Sequence, residues 1–467
     1  MKKMFYILMI AFPIIVCTQQ VLAQSSPLDY AWKYVGDAGI SAGQVYYTSL
    51  AFNPIDGNPY VAYQDYADSL RATVMKFNGF NWELVGNAGF SAASAYFISL
   101  AFSPSDGQPY VAYQDWGQPA KATVMTFDGS NWVNVGNAGF SIGEADDISL
   151  AFSPSGEPYV AYIDVVDNVK ATVMRFDGTN WVNVGNAGFS ADTAVCTSLA
   201  FSPSGEPYVA YVDYANSRKV TVMKFDGSSW LNVGNAGFSG ENSSLTNLVF
   251  NPFDGQPYVA FTDVEDSSKA TVMKFDGTSW SYVGNRGCSE KTIYAPSLAF
   301  NSTDGFPYMA FAYGVNLSED NNLTVMKFNG TNWVGVGTAD FARTLGSYIS
   351  LAFPPSGGQP YVAFPDYGNF KKVSVMKYDS AFNGIKVPQQ ARLSIYPNPA
   401  TDIITIETSG ATRESNLVFL NIEGQQLITR QLTQPKTQLD ISSLPSRVYF
   451  VRLTSDKSVA TGKIIKQ

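Results

Sequence analysis

Apolar and polar residues alternate with a period of two in short bursts, and the bursts recur along the chain. The stretch SLAFSPSGEPYVAYIDVVDNVKATVMRFDGTNWVNVG, Ser149 to Gly185, holds four of them: SLAF, PYVAY, ATVMRF and NWVNVG. Each is rich in aromatic and β-branched residues and ends in turn-forming ones, as a partly buried strand requires. SPSGEP joins the first two and Asp177-Gly178 the last two, both with the glycine and proline chemistry of tight turns. One unit is therefore expected to be a four-stranded antiparallel meander.

Such a meander carries apolar atoms on both faces, so neighbouring copies must cover it. The tryptophan opening the fourth strand recurs as Trp32, Trp82, Trp132, Trp181, Trp230, Trp280 and Trp333. The ends of the array are complementary. Before Ser49 there is only a fourth-type strand, Trp32 to Gly36, and after the last third-type strand, Val373 to Tyr378, no fourth strand follows. Pairing those two ends closes a ring. The pattern predicts an all-β chain: a seven-bladed β-propeller of four-stranded blades, followed by a small C-terminal β-sandwich. The expected boundaries are a signal peptide at 1–23, the propeller at 24–383, a linker at 384–391 and the C-terminal domain at 392–467.

Lys2 and Lys3 followed by MFYILMIAFPIIVC and Val21-Leu22-Ala23 read as a secretory signal cleaved after Ala23. That run is too short for a span and Pro13 interrupts it, so no membrane span is expected. Composition suits a secreted β-protein: 14% aromatic and only 15% charged residues, with 39 glycines and 24 prolines. The net charge of -9 makes nucleic acid a poor partner. Cys196 and Cys288 fall in blades that are not neighbours, so they are expected to be apolar fillers without a disulfide.

Seven internal copies allow scaffold to be separated from specialised surface. An acid ends the second strand and a base begins the third in six blades, from Asp65 with Arg71 to Asp366 with Lys372. The sixth blade loses both together, to Tyr313 and Asn322. The expectation is a set of exposed hairpin ion pairs, worth about 0 to 1 kcal/mol each. Two residues just before each SLAF-type strand vary freely instead: Tyr46-Tyr47, Tyr96-Phe97, Asp146-Asp147, Val195-Cys196, Ser244-Leu245, Tyr294-Ala295 and Ser347-Tyr348. In a propeller these positions ring the mouth of the central channel. Tyr46, Tyr47, Tyr96, Asp146, Asp147, Tyr294 and Tyr348 are accordingly the candidate ligand-binding residues. Aromatic faces with a few carboxylates suit sugar rings; the competing reading is that the tyrosines plug the channel.

The chain contains no histidine, which excludes serine and cysteine nucleophile schemes built on imidazole and His-based zinc sites. Glycoside cleavage needs only two carboxyls. Asp146 and Asp147 are adjacent, however, so in a regular strand their side chains point to opposite faces. The DG(S/T)xW turn resembles the Asp-box of sialidase-type propellers only loosely, since Asp and Gly are contiguous and the Ser is absent; no activity is carried over. No metal, cofactor or catalytic residue is assigned.

From Arg392 the pattern changes to LSIYPNP, DIITIET, NLVFLNIEG, QQLITRQL, TQLDIS, VYFVRLTS and GKIIKQ. LSIYPNPATDIITI, NIEGQQL and SSLPSRVYFVRLTSDKSVATGKIIKQ resemble the C-terminal sorting domain of type IX secretion substrates of Bacteroidetes-type bacteria. That resemblance implies the type IX secretion machinery as a partner and a secreted or outer-surface location. Arg447 stands where many members have Gly, a substitution that costs stability if the turn needs φ > 0. The combined expectation is a secreted or surface-displayed propeller that binds or adheres to a glycan or another extracellular ligand. A carbohydrate-active enzyme using channel-mouth carboxylates and a structural surface protein are the alternatives.

Overall fold

In the third repeat the four bursts form the strands Ala145–Phe152, Pro158–Asp164, Lys170–Phe176 and Trp181–Asn183, each pairing antiparallel with the next. The computed structural model describes residues 30–314, 320–345, 348–380, 392–409, 415–421, 425–432, 434, 436–454 and 459–467. The expected signal peptide and linker lie outside them. Five four-stranded sheets of this kind are separate. Two further meanders, beginning at Ile293–Phe300 and at Ser350–Ala352, are joined by the short strand Ala342–Leu345 into one nine-stranded sheet. Among the described residues this makes seven four-stranded meanders, repeated like propeller blades.

The seventh blade draws its fourth strand from the start of the chain. Tyr30–Tyr34 pairs antiparallel with Lys372–Ser380, from Tyr30 opposite Ser380 to Tyr34 opposite Met376. Two circuits of hydrogen bonds run round the ring. In the inner one, the Ser of SLAF accepts the backbone N–H of the Leu in the following blade: Ser49 from Leu100, Ser99 from Leu150, Ser149 from Leu199, Ser198 from Leu248, Ser297 from Leu351 and Ser350 from Leu50. Asn247 takes the same role toward Leu298 in the fifth blade. In the outer one, each repeat tryptophan donates its indole N–H to a valine carbonyl of the preceding blade, from Trp82 to Val35 at 2.6 Å round to Trp32 to Val336 at 2.8 Å. Both circuits return to their starting blade after seven steps.

The outer circuit explains why the motif around the tryptophan repeats. A phenylalanine of the preceding crossover stacks on the indole, as Phe90 does on Trp132 at 4.2 Å and 11°. The glycine of the VG dipeptide gives the indole room: a Cβ on Gly86, whose φ is +72°, would lie 2.9 Å from Phe127 and 3.1 Å from Trp132. At two blades the stacking ring is missing. Ile40 stands there at Trp82, leaving an open groove lined also by Asp37, Met75 and Asn81, and Cys288 stands there at Trp333. Cys196 and Cys288 are both free thiols, and the Cys288 S–H donates to the Ala270 carbonyl.

The acid and base at the second hairpin are opposite one another, as Asp213 and Lys219 are, but they do not form the expected exposed ion pairs. The aspartates are buried, from Asp65 to Asp366. Asp213 accepts the N–H of Ala215, the amide of Asn216 and the hydroxyl of Thr221, while Lys219 turns to Glu241 and Lys269 to Asp266. In five of the six blades a backbone N–H of the turn itself reaches the carboxylate, at Asp65, Asp115, Asp164, Asp213 and Asp366, whereas in the fifth blade Arg286 pairs with Asp263 instead.

The chain divides into two compact units, Met1–Ser380 and Ala381–Gln467. The second has a sheet of three strands and a sheet of four, all antiparallel, over a core that includes Ile404, Ile406, Leu417, Phe419, Val451 and Ile464. Arg447 is not in the left-handed region, so the strain expected at that position does not arise. No helix among the described residues is long and apolar enough to cross a membrane.

Candidate functional site at the mouth of the ring

In the first six blades the innermost strand begins beside the end of the second strand of its own blade, as Tyr96 pairs with Gln114 and Ala95 with Asp115; in the seventh the strand Ala342–Leu345 takes that place, with Thr344 opposite Asp366. Just there the register slips, between Tyr46 and Ser49, Tyr96 and Ser99, Asp146 and Ser149, and so on. The second residue of every variable pair is left-handed: Tyr47, Phe97, Asp147, Cys196, Leu245, Ala295 and Tyr348, with φ from 46° to 69°. None is glycine, and such a conformation costs about 1 kcal/mol or more per residue. A bulge of this kind re-aims side chains. The strain is therefore spent at the position where the copies differ most.

The bulges sort the candidate residues into two tiers. Tyr47 packs against Tyr348 at 4.4 Å and Phe97 at 5.3 Å between ring centroids, a lower tier of second-position residues from the seventh, first and second blades. The threonine hydroxyl after some of these bulges ties the tier down: Thr48 donates to the Tyr348 carbonyl, Thr197 to that of Asp147 and Thr246 to that of Cys196. Burial first, and then the neighbouring Tyr348, push the Tyr47 hydroxyl well above the ordinary tyrosine range. The upper tier holds first-position residues. Tyr46 accepts a hydrogen bond from the Gln44 amide and meets Tyr348 edge-on, and Tyr96 meets Trp116 at 5.5 Å. Tyr294, half-buried opposite Ala312, makes no ring contact with the other candidates. Ser347 lies outside the described residues.

Asp146 and Asp147 are turned to opposite neighbours. Asp146 Oδ1 accepts from the Gln114 amide of the second blade at 2.5 Å, and Asp147 Oδ2 accepts from the backbone N–H of Cys196 in the fourth at 2.6 Å. Both carboxyls are pushed up, by burial foremost; the Gln114 hydrogen bond opposes the shift at Asp146, and the Cys196 N–H opposes it at Asp147. A raised carboxyl pKa means the folded protein holds the proton more tightly than the unfolded chain does. The stabilisation from Asp147 is then complete below about pH 3.8 and is lost as pH rises through its elevated value. Asp147→Asn can still accept from Cys196, so thermal melts should show it at least as stable as the parent at pH 7 and less dependent on pH upward from 4. Equal pH dependence in parent and variant would contradict this.

The mouth also holds aromatic side chains that repeat comparison of the crossovers does not find. The residue after the second-strand aspartate is Tyr66, Trp116, Tyr214 and Tyr367 in the first, second, fourth and seventh blades, all exposed. Trp116 had a visible signal. Eight tryptophans occur, seven serve the repeat, and Trp116 is the eighth. Among the described residues no cluster of acid or cysteine side chains could hold a metal ion.

A search of proteins with curated function found no match. Among solved structures, an ulvan lyase of polysaccharide lyase family PL25, bound to -[GlcA(1-4)Rha3S]-, is 12% identical with a TM-score of 0.46, covering 75% of this chain and 96% of its own. PorZ, a surface component of the type IX secretion system of Porphyromonas gingivalis, is 14% identical with a TM-score of 0.40, covering 87% and 64%. An alpha-L-arabinanase of Penicillium chrysogenum, complexed with arabinobiose, is 12% identical with a TM-score of 0.42, covering 76% and 99%. The two-sheet unit gives the firmer result, because residues 394–467 match the family model of the secretion system C-terminal sorting domain. Residues 394–467 therefore belong to the type IX secretion C-terminal sorting domains, and the chain is an all-β propeller protein sent by that route to the outside and the outer cell surface.

Proposed function

We propose that the propeller is a binding module for an extracellular glycan, engaged at the mouth of the ring. The observation that carries this reading is a run of ring contacts from Tyr348 of the seventh blade through Tyr47 of the first to Tyr96 and the exposed Trp116 of the second, which Gln114 links to the Asp146 carboxylate of the third. Sugars present an apolar C–H face and hydroxyl donors, and this surface offers the complement of each. The strained bulges support the reading further, since a mere plug could be built from unstrained strands. Binding is favoured over cleavage because Asp146 and Asp147 are each held by a partner on a different neighbouring blade. Glycoside cleavage asks for two carboxyls flanking one bond, roughly 5 to 9.5 Å apart.

The test is a glycan-array screen of the full chain beside a variant carrying Tyr96→Ala, Asp146→Ala and Tyr294→Ala. Binding that the variant loses is the expected result. Binding retained in full would move the site off the mouth, and an array without any signal would favour a structural surface role.

A further inference from the structure

Trp116 is 58% exposed, yet it is not loose. Its indole N–H donates to Gln114 Oε1 at 3.0 Å, and the amide of the same Gln114 donates to Asp146 Oδ1 at 2.5 Å. Gln114 itself is only 3% exposed. A buried amide thus clamps an exposed indole and a carboxylate in fixed relation, while Tyr96 braces the indole at 5.5 Å and 43°. The first blade shows that this clamp is not a property of the repeat. Its second strand has the identical sequence PYVAYQD, but there Gln64 donates to the Ala95 carbonyl at 2.6 Å instead of to a mouth residue. The arrangement at Gln114 exists because Trp116 and Asp146 are both present. Burying an indole edge against a polar anchor while leaving its face in water gives up apolar burial that folding would otherwise use.

We propose that Trp116, Tyr96 and Asp146 form a stacking subsite for one neutral hexose ring, a deepening that rests on the glycan-binding reading. The apolar C–H face of the sugar lies on the indole. A ring hydroxyl donates to Asp146 Oδ2, the oxygen that Gln114 leaves open. The sugar is neutral because Asp146, with Asp147 beside it in the chain, would repel a uronate or a sulfate ester. Gln114 is a positioning residue: it orients both contacting groups and touches no sugar atom.

Isothermal titration of the full chain with neutral gluco-, galacto- and manno-hexasaccharides, and with hexagalacturonate as the acidic counterpart, tests the subsite. At least one neutral hexasaccharide is expected to bind and hexagalacturonate is not. Trp116→Ala should weaken that binding by at least about tenfold, as loss of a central aromatic anchor does, while Trp116→Phe keeps most of it. Phe253→Ala, an exposed aromatic in a hairpin at the opposite end of its blade, should change nothing. Trp116 is exposed, so an unchanged melting temperature will show that the variant folds. Neutral binding that survives Trp116→Ala would overturn the subsite and leave the glycan-binding reading standing. Binding of hexagalacturonate alone would overturn the neutral class, and binding of no glycan would overturn both.

Discussion

Removing the strand Tyr30–Tyr34 is expected to open the ring and to cost more stability than loss of any other single strand-four contact. This strand completes the seventh blade without a covalent turn to it: five residue pairs join it to Lys372–Ser380. Trp32 stacks on Phe341 at 4.1 Å and 9° and donates to Val336 at 2.8 Å. Beyond the strand, Val35 donates to the Val375 carbonyl at 2.8 Å and accepts from Trp82 at 2.6 Å. Trp32→Ala alone should cost about 3–5 kcal/mol, the usual range for a large aromatic taken from a packed site. Trp181→Ala provides the control. Its strand stays tied to its own blade through the Asp177-Gly178 turn, so a similar local loss leaves the ring closed. In urea, Trp181→Ala should shift a single transition. The chain lacking residues 30–34 should lose cooperativity and self-associate through the newly bare edge of Lys372–Ser380. If that deletion unfolded at the same denaturant concentration as Trp181→Ala, without association, closure would not be what holds the ring.

A second large effect is expected at the buried aspartates, and it is one-sided. Asp213→Ala strips acceptors from the Ala215 N–H at 3.0 Å, the Asn216 amide at 2.8 Å and the Thr221 hydroxyl at 2.8 Å, in a site 1% exposed. Each buried donor left unmatched costs about 1–3 kcal/mol, less where water can enter, so a total of about 2–4 kcal/mol is expected. Lys219→Ala removes a partly exposed ammonium 3.8 Å from Glu241 and should cost under about 1 kcal/mol. Asp213→Asn should fall between the two, because its amide can replace only one of the accepting oxygens. Equal and small losses from Asp213→Ala and Lys219→Ala would restore the exposed ion-pair picture and remove the buried-cap one.

Those aspartates mark where reading the chain stops. Their joint loss with the base in the sixth blade, at Tyr313 and Asn322, does reflect a shared hairpin, because the two positions pair in register. The inference to a pair with the facing base fails on distance along the chain: donors two and three residues away in the turn reach the carboxylate first, except at Asp263, which Arg286 of the next crossover takes. The mouth residues follow the same logic. Variation at Tyr46-Tyr47 and its equivalents was legible, yet the left-handed bulge was not, since Tyr, Phe, Asp, Cys, Leu and Ala give no glycine-like signal of positive φ. Trp116 was legible by subtraction from the repeat, but its clamp was not, for the same PYVAYQD strand leads to different amide partners in the first and second blades.

What the sequence determined by itself is the repeat, its strand period, the complementary ends that close the ring, and the sorting domain that sends the chain outward. These rest on local alternation, on turn chemistry and on copies that can be compared with one another. Only the tertiary structure decided which neighbours the variable residues meet. A glutamine amide that meets a backbone carbonyl in one blade and a carboxylate in the next, and two adjacent aspartates turned to opposite blades, depend on atoms brought from 31 to 49 residues away in sequence, and contacts of that range are set by packing round the ring, not by the local pattern.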